Sequence, residues 1–302
     1  MRVLITGGTG LIGRALAADL ADSGHQVILL SRRPERVTGL REGIRAERWD
    51  GHSAAGWGHL AEGAAIVNLA GENLAGGRWT AERKRRILES RVNAGAAVVE
   101  AARLATDKPV VVIQGSAVGF YGPRGDEMLG EDAPAGNDFQ SHVVYQWEAS
   151  TAGVEALGVR RAIMRSGVVL STRAVALQRL TLPFRFFVGG RLGHGRQWFS
   201  WIHIADEIRA IRFLIENVSA AGAFNLTAPA PLRNAEFAAT LGRAMGRPSW
   251  IPVPAFAMRL LFGEMSTVIL DGQRVVPQRL TDLGFVFRFA TAESALRDLV
   301  SG

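Results

Sequence analysis

The stretch Arg2-Val-Leu-Ile-Thr-Gly-Gly-Thr-Gly-Leu-Ile-Gly13 decides the fold. Its first five residues predict a short buried strand, its glycines a tight turn, and Leu11 onward a helix. A Gly-x-Gly-x-x-Gly pattern between a strand and a helix is typical of a turn that holds the pyrophosphate of a dinucleotide. Glycines let the backbone N–H groups approach the phosphates at the helix N-terminus. We therefore expect a cofactor site at Gly7, Gly8, Thr9, Gly10, Leu11, Ile12 and Gly13.

The end of the second predicted strand, His25 to Leu30, indicates which dinucleotide is bound. Proteins that prefer NAD carry an acidic residue near this point, which binds the ribose 2′-hydroxyl. Here the chain continues Ser31-Arg32-Arg33 with no acid. Guanidinium groups are well suited to bind a 2′-phosphate. The cofactor expected from these residues is NADP(H), and the alternative is a solvated turn.

Three further strand ends carry candidate contacts. Asp50 follows a third strand, where it either accepts from the adenine amino group or serves as a turn residue. Asn68-Leu-Ala-Gly71 follows a fourth strand and fits a turn beside the ribose and phosphates, where small residues allow close approach. A fifth strand, 109–114, precedes Ser116, which is placed to hydrogen-bond a substrate or the nicotinamide. A sixth strand is expected over 159–165, and residues 166–170 continue from it.

Strands and helices alternate through most of the chain, which predicts an α/β fold with a doubly wound parallel sheet, a Rossmann fold. We assign residues 1–228 to an NADP-binding domain and 229–302 to a smaller, mostly helical domain on the substrate side. Residues 170–200 are expected to contribute to the substrate lobe. Three arginines of this lobe are candidates for binding an anionic group: Arg185, Arg191 and Arg196. The aromatic side chains of the same lobe form either a wall of the substrate site or a second core.

Composition excludes several classes of protein. The 302 residues include no cysteine, so disulfides and thiolate metal ligands are absent. The six histidines show no metal-ligand spacing, and we expect no metal. Net charge is +7, yet basic residues are not interleaved with aromatics as nucleic-acid binding requires. With no apolar run long enough to span a bilayer and no signal peptide before the first strand, we expect a cytoplasmic protein without a membrane or nucleic-acid partner.

The chain resembles the extended short-chain dehydrogenase/reductases, and more narrowly their atypical YfcH-like epimerase family proteins with a small C-terminal domain of unknown function. The superfamily motifs are Thr6–Gly13, Asn68–Gly71, Tyr121-Gly122 and Trp201–Asp206. The narrower motifs are Arg78-Trp79, Ser90-Arg91, Trp147-Glu148, Arg165–Leu170, Gly195–Trp198, Asn225–Pro229, Asn234–Phe237 and Gly272–Pro277. The resemblance implies NADP(H) contacts at Ser31, Arg32, Leu69, Ala70, Arg91 and Val168.

The catalytic pair of that superfamily is missing. Its members normally carry Tyr-x-x-x-Lys on the helix after the fifth strand, where the lysine lowers the tyrosine pKa so that the phenolate acts as a base. The only lysines here are Lys84 and Lys108, and Ala149 stands four residues after Tyr145. The cofactor site is therefore predicted without the usual base.

Three functions remain open at this point. The first is an NADP(H)-dependent oxidoreductase for an unidentified small carbonyl or hydroxyl substrate, with catalytic candidates Ser116, Tyr121 and Tyr145, and with Glu148 or His142 as alternates. The second is a non-catalytic NADP(H) sensor, and the third a nucleotide-sugar epimerase or dehydratase. The long predicted helices 81–104 and 139–157 are where related enzymes dimerise, which makes a homodimer an option.

Overall fold

The computed structural model describes residues 1–300, and its strands follow the predicted alternation. In chain order they are β1 (Arg2–Thr6), β2 (Gln26–Ser31), β3 (Ile44–Arg48), β4 (Ala65–Asn68), β5 (Val111–Ala117), β6 (Met128–Leu129), β7 (Arg160–Ser166), β8 (Val168–Leu170), β9 (Trp198–Phe199), β10 (Trp201–His203), β11 (Gly222–Leu226), β12 (Leu232–Arg233) and β13 (Arg274–Val275). The helices are α1 (Leu11–Asp22), α2 (Ala81–Leu104), α3 (Phe139–Ala149), α4 (Val175–Arg185), α5 (Ile204–Glu216), α6 (Asn234–Met245), α7 (Ala255–Phe262), α8 (Thr267–Leu270), α9 (Gln278–Asp282) and α10 (Ala292–Val300).

Seven of the strands form one parallel sheet in the order β11-β7-β5-β4-β1-β2-β3. The chain leaves β1 toward β2 on one side and later returns to place β4 on the other side. The carboxyl ends of β1 and β4 therefore flank the topological switch point, where open α/β sheets bind ligands. This is the doubly wound Rossmann architecture that the sequence predicts.

Helices cover both faces of the sheet because its strands are almost wholly apolar. One face packs against α1 and α5 through side chains such as Leu16 and Ile211, and the other packs against α2 through side chains such as Val98. The predicted start of α2 is confirmed, because the Thr80 hydroxyl accepts from the Arg83 N–H at 3.2 Å.

Two strand predictions need correction. The fifth strand runs to Ala117 rather than Gln114, so Ser116 lies within β5 and not beyond it. The segment 159–170 is not one strand, because the chain changes sheets at Gly167 and β8 pairs with β10. A Cβ at Gly167 would lie 2.7 Å from the Ser200 carbonyl oxygen, so this close crossing requires glycine.

A second hydrophobic core defines a smaller lobe beside the central sheet. Its core joins side chains from both sides of residue 228, among them Leu177, Phe184, Phe237 and Leu296. Residues 170–200 thus pack with the C-terminal helices α6 and α10. No helix within residues 1–300 is long and apolar enough to cross a membrane.

Candidate active site

The glycine turn connects β1 to α1 with almost no space for side chains. Gly7 has φ +65°, and a Cβ there would lie 2.7 Å from the Leu69 carbonyl oxygen. A Cβ at Gly13 would lie 2.6 Å from the Gly8 Cα. No side chain caps α1, and its first turn holds no acidic residue, which leaves its N-terminal N–H groups available to a pyrophosphate.

A row of buried polar side chains ties the strand ends together beneath this turn. The Thr6 hydroxyl donates to Asn68 Oδ1 at 2.7 Å, and Asn68 Nδ2 donates to Gln114 Oε1 at 2.9 Å. The Thr6 hydroxyl also accepts from the N–H groups of Leu69 and Ala70, at 3.1 Å each. The row therefore fixes β1, β4 and β5 relative to one another at the switch point. Sequence analysis missed the role of Gln114, whose only signal is a polar residue at the end of an apolar strand.

The turn after β4 is held by Arg91. This side chain is buried, and its Nη1 donates to the carbonyl oxygens of Glu72 and Ile87 at 3.1 and 2.9 Å. Its guanidinium lies 4.9 Å from the Trp147 ring centroid, and a Cβ at Gly71 would lie 2.9 Å from its Cζ. Burial lowers the pKa of Arg91 to about 10, against a smaller opposing effect of Glu72. Arg91, which is part of α2, therefore fixes the position of the turn after β4.

The end of β2 carries two exposed arginines. The Ser31 hydroxyl accepts from the Arg33 N–H at 3.2 Å, which closes a short local turn after β2. The neighbouring Arg48 is paired with Glu35 at 3.3 Å. Neither Arg32 nor Arg33 lies within salt-bridge distance of a carboxylate among the residues that the structure describes. Their guanidinium groups are therefore available to an external anion.

Two further predicted cofactor contacts, Asp50 and Val168, lie in a turn and at the start of a strand, respectively. Asp50 accepts from the N–H groups of His52 and Ser53 at 2.8 and 2.9 Å, so it closes a turn. Burial acts to raise its pKa, but these bonds and that from the Ser53 hydroxyl outweigh burial and lower it. Val168 starts β8, where its N–H donates to the Ser200 carbonyl oxygen at 2.9 Å.

A buried ion pair lies behind the carboxyl end of β5. Arg165 of β7 donates from Nε and Nη2 to the two carboxylate oxygens of Glu148, at 2.8 and 3.0 Å. The Ser116 hydroxyl donates to Glu148 Oε1 at 2.5 Å. The sequence indicates Ser116 and Glu148 as separate candidates but does not reveal Arg165 as their partner. The three residues lie on β5, α3 and β7, so no spacing in the sequence links them.

The same arginine reaches Tyr121. Its Nη1 donates to the Tyr121 hydroxyl at 3.0 Å, and that hydroxyl donates to Asn225 Oδ1 at 2.7 Å. Burial raises the pKa of Tyr121, and the effect of Arg165 opposes this only in part. Tyr145, in contrast, lies on α3 with 54% of its surface exposed and makes none of these bonds. The structure thus brings Ser116 and Tyr121 into one network and leaves Tyr145 outside it.

Glu207 is a second buried carboxyl near a strand end. It is fully buried in the first turn of α5 and accepts from the Ser166 hydroxyl at 2.6 Å. Burial raises its pKa to about 8, with the Ser166 bond opposing. The sequence offered no sign of this, because an acidic residue in a first helical turn is ordinarily exposed.

Two cavities share Pro123 in their linings, and only the smaller one is lined by a residue of the Arg165 network, Tyr121. The smaller, of about 220 Å³, is lined by the loop around Tyr121 and Gly122 and by residues 135–137. The larger, of about 570 Å³, lies between the loop 123–126 and the smaller lobe. Its lining includes His194, Arg196, Gln197, Trp198, Arg233, Leu270 and Asp271.

Charge and aromatic surface meet in the larger cavity. The Trp198 ring has the Arg233 and Arg274 guanidinium groups 4.8 and 4.6 Å from its centroid. Asp126 accepts from Trp198 Nε1 at 2.7 Å and from Arg233 Nη2 at 2.8 Å. A carboxylate of the protein thus already occupies an anion-binding position in the cleft. Of the lobe arginines named from sequence, only Arg196 lines this cleft; Arg185 and Arg191 are exposed outside its lining.

Comparison with known proteins agrees with this architecture. Residues 3–227 match the NAD dependent epimerase/dehydratase family, and residues 253–299 match a domain of unknown function, DUF1731. The epimerase family protein SAR0825 of Staphylococcus aureus is 41% identical over 99% of this chain and 98% of its own. The epimerase family protein YfhF of Bacillus subtilis is 38% identical over 100% and 98%.

A solved structure agrees over the whole chain. The crystal structure of human epimerase family protein SDR39U1 (isoform 2) with NADPH is 35% identical, with a TM-score of 0.91, and the match covers 100% of this chain and 99% of that one. Its agreement extends through the C-terminal region as well as the sheet. Together with the family match over residues 3–227, it identifies this chain as a member of the NAD-dependent epimerase/dehydratase family.

Proposed function

We propose that this protein is an NADP(H)-dependent oxidoreductase that acts on a small carbonyl or hydroxyl compound bearing an anionic group. The observation that carries the cofactor part is the pair of unpaired arginines, Arg32 and Arg33, at the end of β2. Two guanidinium groups beside the adenosine end of the glycine turn suit a 2′-phosphate and lack the acid that would favour NAD. The NADPH bound to the human relative supports the same cofactor.

The proposed dinucleotide site is built around the glycine turn. Gly7 and Gly13 leave no room for side chains, and the supported turn 69–71 borders the same space. The proposed contacts are the glycine turn, Ser31, Arg32, Arg33, Asp50, Leu69, Ala70, Gly71, Arg91, Ser116 and Val168. When bound, the cofactor supplies or accepts a hydride.

We assign Ser116 to the substrate oxygen. It lies one residue before the carboxyl end of β5, and its hydroxyl donates its only proton to the Glu148 carboxylate. The Ser116 oxygen can therefore accept from a substrate hydroxyl, and it donates to a substrate carbonyl oxygen only when the O–H turns away from Glu148. Arg165 and Tyr121 act as positioning residues, because Arg165 holds both Glu148 and the phenol. The exposed Tyr145 is the alternative proton donor.

Arginines recognise the anionic part of the substrate. Arg196 and Arg233 line the larger cavity, and Asp126 shows that a carboxylate fits beside Arg233 and Trp198. A substrate carboxylate or phosphate takes over the position of Asp126 when it binds. The aromatic ring of Trp198 forms an apolar wall beside it.

The test follows NADPH oxidation against a panel of aldehydes and ketones that carry a carboxylate or a phosphate, with uncharged analogues as controls. The expected result is turnover of an anionic substrate. Ser116→Ala is expected to reduce kcat strongly, while Tyr145→Phe leaves it unchanged. If NADPH binds tightly but no hydride is transferred to any compound, the proposal fails. Loss of activity in Tyr145→Phe but not in Ser116→Ala would exchange the two assignments.

A further inference from the structure

Half of the exposed large hydrophobic side chains within residues 1–300 lie in two short segments, 182–188 and 247–261. We call these segments the apolar-basic face. Its most exposed members are Leu260, Phe256, Phe186 and Trp250, at 72%, 71%, 70% and 69%. Contiguous apolar patches on soluble proteins mark binding surfaces, whereas single exposed side chains do not.

Direct contacts join the two segments into one surface. Trp250 Nε1 donates to the Phe187 carbonyl oxygen at 2.7 Å, and the Arg247 guanidinium lies 4.4 Å from the Phe187 ring centroid. The N–H groups of Trp250 and Ile251 both donate to the Gly189 carbonyl oxygen, at 2.9 and 3.1 Å. Residues 187–189 and 247–251 are therefore neighbours, and α7 follows four residues later in the chain.

Helix α7 is held in place although its apolar side chains are exposed. Of its residues only Met258 is buried, while Phe256 and Leu260 stand one turn apart on the exposed side. The Arg78 guanidinium donates to the carbonyl oxygens of Leu260 and Leu261, which ties the end of α7 to the segment before α2. The exposed face is thus presented by a fixed helix rather than by a loose tail.

The two segments that form this face contain basic but no acidic residues. No acidic residue occurs from 156 to 205 or from 237 to 263. Eight exposed arginines of these stretches make no salt bridge within residues 1–300: Arg173, Arg179, Arg185, Arg191, Arg196, Arg243, Arg247 and Arg259. Two copies of the chain meeting through this face would bring like charges together. The charge favours an anionic partner instead.

We propose that the apolar-basic face binds the surface of an anionic lipid bilayer. Tryptophan, phenylalanine and leucine side chains insert at the level of the headgroups, and arginines bind the lipid phosphates. This combination of apolar anchors and unpaired arginines is typical of interfacial binding, which requires no membrane-spanning helix. It revises the expectation of no membrane partner, which depended on the lack of a spanning segment.

The face is continuous with the substrate cleft. A Cβ at Gly193 would lie 2.8 Å from Leu270, which lines the larger cavity, and 3.7 Å from Ala255, which begins α7. Docking through α7 would therefore bring the cleft close to the lipid surface. The inference goes beyond the proposed reaction and does not depend on it.

The experiment measures co-sedimentation of the full chain, saturated with NADPH, with vesicles of phosphatidylcholine alone or mixed with phosphatidylglycerol. We expect binding to the anionic vesicles, weakening as salt rises. Phe256→Ser with Leu260→Ser should reduce vesicle affinity by roughly tenfold or more, and Arg247→Gln by about fivefold. Val218→Ser and Val286→Ser, which are equally exposed elsewhere, are matched controls that should bind like the native chain.

Two results would overturn the inference. One is the absence of binding to anionic vesicles, or binding that the Phe256 and Leu260 substitutions leave intact. The other is a dimer in sedimentation velocity without vesicles that the same substitutions dissociate, because a second copy would then cover the face. Unchanged NADPH affinity in every variant establishes that each one is folded.

Discussion

The carboxyl edge of the central sheet and the smaller lobe differ in how completely their polar groups are paired. At the sheet edge, Thr6, Asn68 and Gln114 bond to one another, and Arg165 bonds to Glu148. In the lobe, exposed arginines such as Arg185 and Arg247 have no carboxylate within reach among the described residues. The polar groups at the ends of β1, β4, β5 and β7 are thus paired within the chain before any ligand arrives, whereas these lobe arginines, like Arg32 and Arg33 at the end of β2, are left available to anions from outside.

The largest effect should come from breaking the pairing at the sheet edge. Arg165→Met leaves the Glu148 carboxylate buried without its partner, which is expected to lower the free energy of unfolding by about 3–5 kcal/mol. Arg45→Met removes an exposed pair with Glu47 and is the control, with an expected loss of under about 1 kcal/mol. Urea unfolding measures both. If the free energy of unfolding fell equally in the two variants, burial of the Arg165–Glu148 pair would not increase the cost of breaking it.

Glu207 provides a pH-dependent form of the same comparison. Its pKa is about 8 in the folded chain and near 4.5 when unfolded, so the folded state holds the proton more tightly. The stability that this group contributes is complete below pH 4.5 and is lost as pH rises toward 8. Glu207→Gln should therefore flatten the decline in unfolding free energy over this range.

Denaturation at several pH values checks this expectation. Glu293→Gln changes an exposed carboxyl of α10 and should keep the native pH profile. If Glu207→Gln and the native chain decline in parallel between pH 5 and 8, Glu207 does not titrate as its burial implies.

A smaller effect is expected within the cofactor cradle. Gly13→Ala places a Cβ against Gly8, and overpacking of this kind costs about 1–3 kcal/mol, or roughly 5- to 150-fold in NADPH affinity if the turn is displaced. Gly130→Ala places its Cβ in open space and is the control. Fluorescence titration with NADPH measures both variants, and native affinity in Gly13→Ala would contradict the close approach.

The same contrast explains what the sequence could predict. The glycine turn, the order of strands and helices and the start of α2 follow from local patterns, and the structure has them. The Arg165–Glu148 pair and the Thr6–Asn68–Gln114 row join residues far apart in sequence, so no spacing announces them. The sequence predicts Ser116 after the fifth strand, but in the structure pairing with β7 continues through Gly115 to Ala117.

Predictions in the lobe were harder for a different reason. Its aromatic residues were open to two interpretations, a substrate wall or a second core, and the structure divides them. Phe184 is buried in the lobe core, whereas Phe186 and Phe187 are exposed. Periodicity could not separate them because α4 continues through Pro183 and ends at Arg185, so Phe186 and Phe187 lie beyond the helix, where Phe187 has φ +61°.

The smallest effect is expected from releasing the carboxylate that occupies the cleft. Asp126→Asn removes the charge facing Arg233, so inorganic pyrophosphate should bind the NADPH-saturated protein a few times more tightly. Glu127→Gln makes the same charge change one residue away, where Glu127 pairs with Arg124 instead. Calorimetric titration compares the two, and equal affinities would show that Asp126 does not compete for the anion site.

The most direct test of the account compares the dissociation constants of NADPH and NADH for the native chain and for Arg32→Ser with Arg33→Ser. The account predicts tighter binding of NADPH by the native chain. It also predicts that the variant loses roughly 10- to 100-fold of NADPH affinity, since hydrogen bonds to charged groups contribute about 1.5–3 kcal/mol, while NADH affinity stays unchanged. Equal or tighter binding of NADH by the native chain, or an unchanged preference in the variant, would contradict it.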